Sequence, residues 1–140
     1  MNLNGKWSGY YEYGPGYFYP FFGSRVDFEI NFILNNQGSF KGSIQEIPSQ
    51  FSVPIEAEVK GFVDNDFISF VKSYKVRPEI SEDGKSIIIK DGILEISFTG
   101  YIDKENACIY GAWDLEEPFT ENGETFIDYL SGIWMIKKES

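Results

Sequence analysis

The chain has 140 residues, 42% of them apolar and 18% aromatic, with 22 acidic against 12 basic side chains and no histidine. That length holds a single domain, 1–140, with one core, and the apolar share excludes a disordered chain. A formal charge of −10 repels phosphate backbones and argues against a nucleic-acid partner, and no run approaches the length of a membrane span, so no membrane partner is expected.

The predicted elements are all strands, because period-two alternation dominates and no helical stripe stands out. The first strand, Gly5 to Tyr13, puts Trp7, Gly9, Tyr11 and Tyr13 on one face and Lys6, Ser8, Tyr10 and Glu12 on the other. A long segment, Gly14 to Ser24, follows. In the second strand Val26, Phe28, Ile30, Phe32 and Leu34 alternate with Asp27, Glu29, Asn31 and Ile33. Asn35-Asn36-Gln37-Gly38 tolerates the positive φ of a tight hairpin and leads into a third strand, Ser39 to Glu46, with Phe40, Gly42 and Ile44 inside. After Ile47 to Ser52, the fourth strand, Val53 to Val63, carries Ile55, Ala57, Val59 and Gly61 inward.

Asp64-Asn65-Asp66 turns the chain into the fifth strand, Phe67 to Lys75. Its facing is open: one side holds Ile68, Phe70, Lys72 and Tyr74, the other Phe67, Ser69 and Val71. A long connection, Val76 to Ile93, has room for a short strand at Ser86 to Lys90. The sixth strand, Leu94 to Asp103, offers Ile96, Phe98, Gly100 and Ile102. Lys104-Glu105-Asn106 turns it into the seventh, Asn106 to Glu116, with Ile109, Gly111 and Trp113. Glu117 to Tyr129 is read as a fourth long connection, and the last strand, Leu130 to about Lys138, directs Gly132, Trp134 and Ile136 inward.

Tight turns and long connections therefore alternate. In an antiparallel meander this places every long segment at one end and every tight turn at the other. The expected fold is all-β: an eight-stranded antiparallel up-and-down β-barrel with its long loops at one open end. The in-strand glycines favour closure into a barrel over a two-sheet sandwich.

Gly5-Lys6-Trp7 resembles the opening of lipocalin and avidin barrels. Leu3-Asn4-Gly5-Lys6-Trp7-Ser8 is similar to the first strand of avidins, Asn36 to Gly42 to their second hairpin, and Phe98 to Asp103 to their sixth strand. The resemblance implies a ligand site in the open end and admits a homo-oligomer. From the lipocalins it implies that Trp7 packs across the closed base beneath Lys137 or Lys138. From the avidins it implies that Trp113 stacks against a ligand. Where avidins carry polar first-strand groups for biotin, this chain has Gly9 and Tyr13, which argues against biotin. A nitrobindin-like haem barrel would need an axial histidine.

The parity names the residues nearest the mouth. Tyr11, Tyr13, Phe28 and Trp113 are the candidate walls of a ligand site, and Lys72 and Tyr74 its polar fixings, with an outward, solvated Lys72 as the alternative. A lysine beside tyrosine rings suits a ligand carboxylate or carbonyl. Tyr17, Phe18, Tyr19, Phe21 and Phe22 crowd the first loop; they form a lid, a patch for a protein partner, or a plug that fills the mouth. The acidic runs Glu79 to Asp83 and Asp114 to Glu117 lack the spacing of a metal loop, so neither metal nor cofactor is expected. Cys108 has no disulfide partner and reads as a buried hydrophobe. With no histidine, no recognisable nucleophile pair and almost no inward carboxylates, no enzyme is expected. Met1 to Trp7 offers no leader core, and the reading is cytoplasmic. Two functions remain: a non-catalytic barrel holding a small apolar or aromatic molecule, or a filled barrel contacting a protein through its aromatic loop.

Overall fold

In a computed structural model of the chain, which describes residues 2–139, ten strands form and eight of them close one barrel. The strands are β1 (Gly5–Tyr13), β2 (Arg25–Leu34), β3 (Ser39–Glu46), β4 (Ala57–Asp64), β5 (Phe67–Tyr74), β6 (Arg77–Ile80), β7 (Ile87–Lys90), β8 (Leu94–Asp103), β9 (Cys108–Glu121) and β10 (Glu124–Lys138). Each barrel strand pairs antiparallel with its sequence neighbour, except that β5 passes over the β6–β7 hairpin to pair with β8. Closure comes from β1 against β10, in register from Trp7↔Lys138 to Tyr13↔Gly132. This is the up-and-down barrel expected from alternation, closed so that the barrel wall itself has no open edge.

Alternation sets the inward faces. Trp7, Tyr11 and Tyr13 on β1, Val26, Phe28, Ile30 and Phe32 on β2, and Ile109 and Trp113 on β9 are all buried. The fifth strand's open question resolves the same way: Ile68, Phe70, Lys72 and Tyr74 are buried, while Val71 is exposed. Trp134 fills the middle of the barrel against Phe70 and Phe98, at 5.5 and 5.6 Å between ring centroids. Gly100 makes that possible, since a Cβ there would lie 2.9 Å from Trp134 Cζ2. At the closed end Trp7 donates Nε1–H to Leu3 O at 3.0 Å, and Lys138 Nζ lies 5.4 Å from its ring centroid. Lys138, rather than Lys137, is therefore the cover over the base. Its ammonium donates to the carbonyls of Asn2 and Asn4.

Several boundaries differ from expectation, among them the start of the seventh expected strand, which is Cys108 rather than Asn106. The fourth strand begins at Ala57, not Val53, because Pro54 has no N–H to donate and the Val53 N–H is taken by the Glu46 carboxylate. The segment Glu117 to Tyr129 is not a loop. β9 and β10 run on past the barrel wall as one hairpin, paired out to Glu121↔Glu124 and turned by Asn122 and Gly123, at φ 52° and 79°. An Asn-Gly pair with both φ positive is the preferred two-residue hairpin turn, and Phe119 stacks on its cross-strand partner Phe126 at 5.4 Å. A smaller addition lies in the long connection after β5, where the short strand expected at Ser86 to Lys90 finds its partner in β6.

Candidate functional site

The open end is divided into a filled half and an empty half. On the β2–β3 side the first loop drives Phe21 into the mouth, where it is 1% exposed and packs on Tyr13 and Phe51 at 5.2 and 4.9 Å. On the other side a cavity of about 460 Å³ lies between the upper parts of β5, β8, β9 and β10 and the β6–β7 hairpin. Val53, also buried, lines the cavity. Tyr11, Tyr13, Lys72, Tyr74 and Trp113 all line it, as does Tyr17 from the first loop. Phe28 does not: it is buried behind Tyr11, at 6.1 Å between centroids. The first loop thus behaves in two ways at once. Tyr17 and Phe21 turn inward, while Phe18, Tyr19 and Phe22 stay exposed, the first two at 87% and 89%.

At the cavity floor sits a buried ion pair. Lys72 and Glu46 are 1% and 3% exposed, and Lys72 Nζ donates to Glu46 Oε2 at 2.9 Å. A carboxylate in so dry a place needs every acceptor site filled. Glu46 meets that demand: Tyr11 Oη donates to Oε1 at 2.8 Å, the Val53 N–H to the same oxygen at 2.8 Å, and Tyr74 Oη to Oε2. Burial alone would raise this carboxyl, but the Lys72 charge, the Tyr74 hydroxyl and the Val53 amide outweigh it and hold Glu46 below the usual carboxylate range. The same environment pushes the Tyr11 and Tyr74 hydroxyls well up. Desolvation is the main cause for both; next comes Tyr13 for Tyr11, with Glu46 adding less, and Glu46 for Tyr74. Tyr13 donates to Phe51 O at 2.7 Å, which ties the first strand to the Ile47 to Ser52 segment.

The ammonium is otherwise surrounded by rings, 4.8 Å from the Tyr11 centroid, 4.9 Å from Tyr74 and 5.9 Å from Phe98. Trp113 rises beside it, within 6.0 Å of Tyr11 and 5.9 Å of Tyr17. The room for its indole comes from Gly132 across the ladder, where any Cβ would collide with Trp113 Cε2. Trp113 Nε1 is the one buried side-chain nitrogen or oxygen among the described residues without a hydrogen-bond partner.

The rim is charged. Arg77 on β6 pairs with Glu117 on β9, reaches Glu79 at 3.4 Å and donates to Ile93 O at 3.2 Å. These contacts fasten the β6–β7 hairpin against the β9–β10 extension, so that it covers one side of the mouth. Desolvation raises the Glu117 carboxyl, and the neighbouring Arg77 only partly offsets it.

Sequence reasoning missed Glu46, and with it the anchor for Lys72. The signal was present: Phe40, Gly42 and Ile44 define the inward face, and the next step of the same alternation is Glu46. Inward faces hold almost no carboxylates, as expected: among the described residues Glu46 is the one buried acid, and it is fully engaged. Arg77 and Glu117 were missed because the elements carrying them were read as loops. Comparison with family models, with curated proteins and with solved structures finds no match to this chain.

Proposed function

We propose that this barrel binds, without catalysis, a small and largely apolar or aromatic molecule in its open end. The observation that carries the reading is the cavity itself. Its volume of about 460 Å³ falls within the roughly 300–1,000 Å³ of small-molecule sites. Its walls are aromatic and aliphatic, with a few polar groups gathered at the floor. Affinity would come from burying apolar ligand surface, at about 25 cal/mol per Å² before ordering costs. The reading takes the chain as a distant relative of the avidin and lipocalin barrels. The strand order and the placing of Lys138 over Trp7 support that kinship.

The test uses N-phenyl-1-naphthylamine, a neutral probe whose emission rises on leaving water. Saturable binding to the wild-type protein is expected, and Ile96→Trp, which fills the cavity from β8, should abolish it with the circular dichroism spectrum unchanged. Absence of saturable binding, or an unaffected Ile96→Trp, would overturn the reading.

A second reading, contact with a protein partner, is favoured by one observation: Phe18, Tyr19 and Phe22 lie exposed together on a single short loop. Phe18→Asp tests it. The substitution should weaken self-association or partner capture while leaving probe binding intact, and an unchanged sedimentation and capture profile would dismiss it. Phe21 is unsuitable for this purpose, being buried.

A further inference from the structure

Apart from the lone pairs of the tyrosine oxygens, the polar capacity left unused at the cavity floor is donor capacity. The hydroxyl protons of Tyr11 and Tyr74 go to Glu46 and that of Tyr13 to Phe51 O. Glu46 Oε1 accepts from Tyr11 and Val53, and Oε2 from Tyr74 and Lys72. An ammonium has three N–H donors, and among the described residues Lys72 spends one, on Glu46. Trp113, on the same cavity wall, keeps its Nε1–H unpaired. Unpaired buried donors of this sort are rare and ask for an acceptor.

Charge decides which acceptor. Lys72 is already neutralised by a carboxylate 2.9 Å away, so the floor carries no net charge. A ligand carboxylate reaching the ammonium would share it with Glu46, placing two negative charges together where water cannot screen them. The rim adds Glu79, Glu117 and the exposed Asp128 around Arg77 and Lys90, and the whole chain carries −10. A neutral oxygen meets none of this opposition.

On the reading of the cavity as a ligand site, we infer that the molecule it takes is uncharged at its buried end and presents a carbonyl oxygen to Lys72 Nζ, its apolar body lying along Trp113 and Leu115. The ion pair with Glu46 then serves selectivity: it holds the ammonium in place as a donor while cancelling its attraction for anions. Of the two head groups that a lysine beside tyrosines suits, the carbonyl is the one this arrangement accepts.

Three naphthalenes of matched size test this on the full chain, by displacement of N-phenyl-1-naphthylamine: 2-ethylnaphthalene, 2-acetylnaphthalene and 2-naphthoate at neutral pH. The ketone should bind about tenfold more tightly than the ethyl compound, and the naphthoate more weakly than either. The infrared C=O stretch of bound 2-acetylnaphthalene should move to lower frequency. In Lys72→Met/Glu46→Gln the ketone should fall to the level of the ethyl compound, and the carbonyl shift should vanish. Naphthoate binding as tightly as the ketone, or equal affinity for the ketone and the ethyl compound in the wild-type protein, would overturn the inference while leaving the apolar cavity standing. Failure of all three to bind would overturn the cavity reading and this inference with it.

Discussion

Lys72→Met is the most informative single change. Methionine keeps much of the volume of the lysine stem but leaves the Glu46 carboxylate buried with three hydrogen bonds and no counter-charge. Breaking one side of a buried ion pair costs about 3–5 kcal/mol. At about 2.1 cal/mol/K per residue, 140 residues have an unfolding entropy of about 0.3 kcal/mol/K, so Tm should fall by roughly 10–17 °C. The double variant Lys72→Met/Glu46→Gln removes both charges together and should be more stable than Lys72→Met alone at pH 7, with a coupling energy above about 1.5 kcal/mol. The pH dependence carries a second signature. In the wild-type protein the Lys72 charge helps to keep Glu46 ionised. Without it burial dominates, the carboxyl takes up a proton in the folded state, and the deficit of Lys72→Met shrinks as pH falls from 7 to 4. Calorimetry and urea titration of the four proteins of the cycle measure all of this. A loss below about 1 kcal/mol in Lys72→Met, simple additivity in the double variant, or a deficit indifferent to pH would show that the pair is not the dry, fully engaged unit described above.

Three further outcomes follow from the same geometry. Because the Glu46 carboxyl lies below its unfolded value of about 4.3, its contribution is complete above that pH and is lost as pH falls through the lower folded value. The Tyr11 and Tyr74 hydroxyls lie above their unfolded value of about 10, so their contribution is complete below pH 10 and is lost as pH rises beyond it. Urea midpoints should therefore form a plateau that falls off on both sides, and Glu46→Gln should shrink the acid limb, to which the lowered Asp83 and Asp103 carboxyls also contribute; an acid limb unchanged in Glu46→Gln would assign it elsewhere. Phe21→Ala should cost about 3–5 kcal/mol, whereas Phe18→Ala, on the same loop, should stay within about 0.5 kcal/mol, as read by chemical denaturation. Similar losses in the two would contradict the inward turn of one ring and the exposure of the other. Lys138→Ala should cost about 1 kcal/mol through its lost contact with the Trp7 ring, and Lys137→Ala, whose side chain is exposed, should cost less than half of that. Equal effects would remove Lys138 from its place over the base.

How far the residues themselves foretold this molecule depends on the range of the forces involved. Alternation along Val26 to Leu34 or Leu94 to Asp103 is a local pattern, and a period of two leaves one way to bury such a face, so strand number, parity and the grouping of long segments at one end could be read directly. The Asn122-Gly123 hairpin was equally local and was passed over only because the strands seemed to end earlier, at Glu116 and Leu130. The facing of β5 was not local. Ile68, Phe70 and Tyr74 compete with Phe67 and Val71 for burial, and Lys72 on the inner face is tolerable only because Glu46, 26 residues earlier, meets it from the other side of β4. That meeting requires β3 and β5 to stand on opposite sides of β4 with their upper ends converging on one floor, which is a property of the closed cylinder. The division of the first loop is of the same kind. Five rings within six residues are alike in the chain, and only the space left beside Tyr13 and Phe51 selects Phe21 to enter and leaves Phe18 and Tyr19 in water. Local pattern thus sets which side of each strand is dry, whereas charge pairing and free volume, which depend on atoms brought together from distant parts of the chain, decide where the cavity lies and what chemistry faces it.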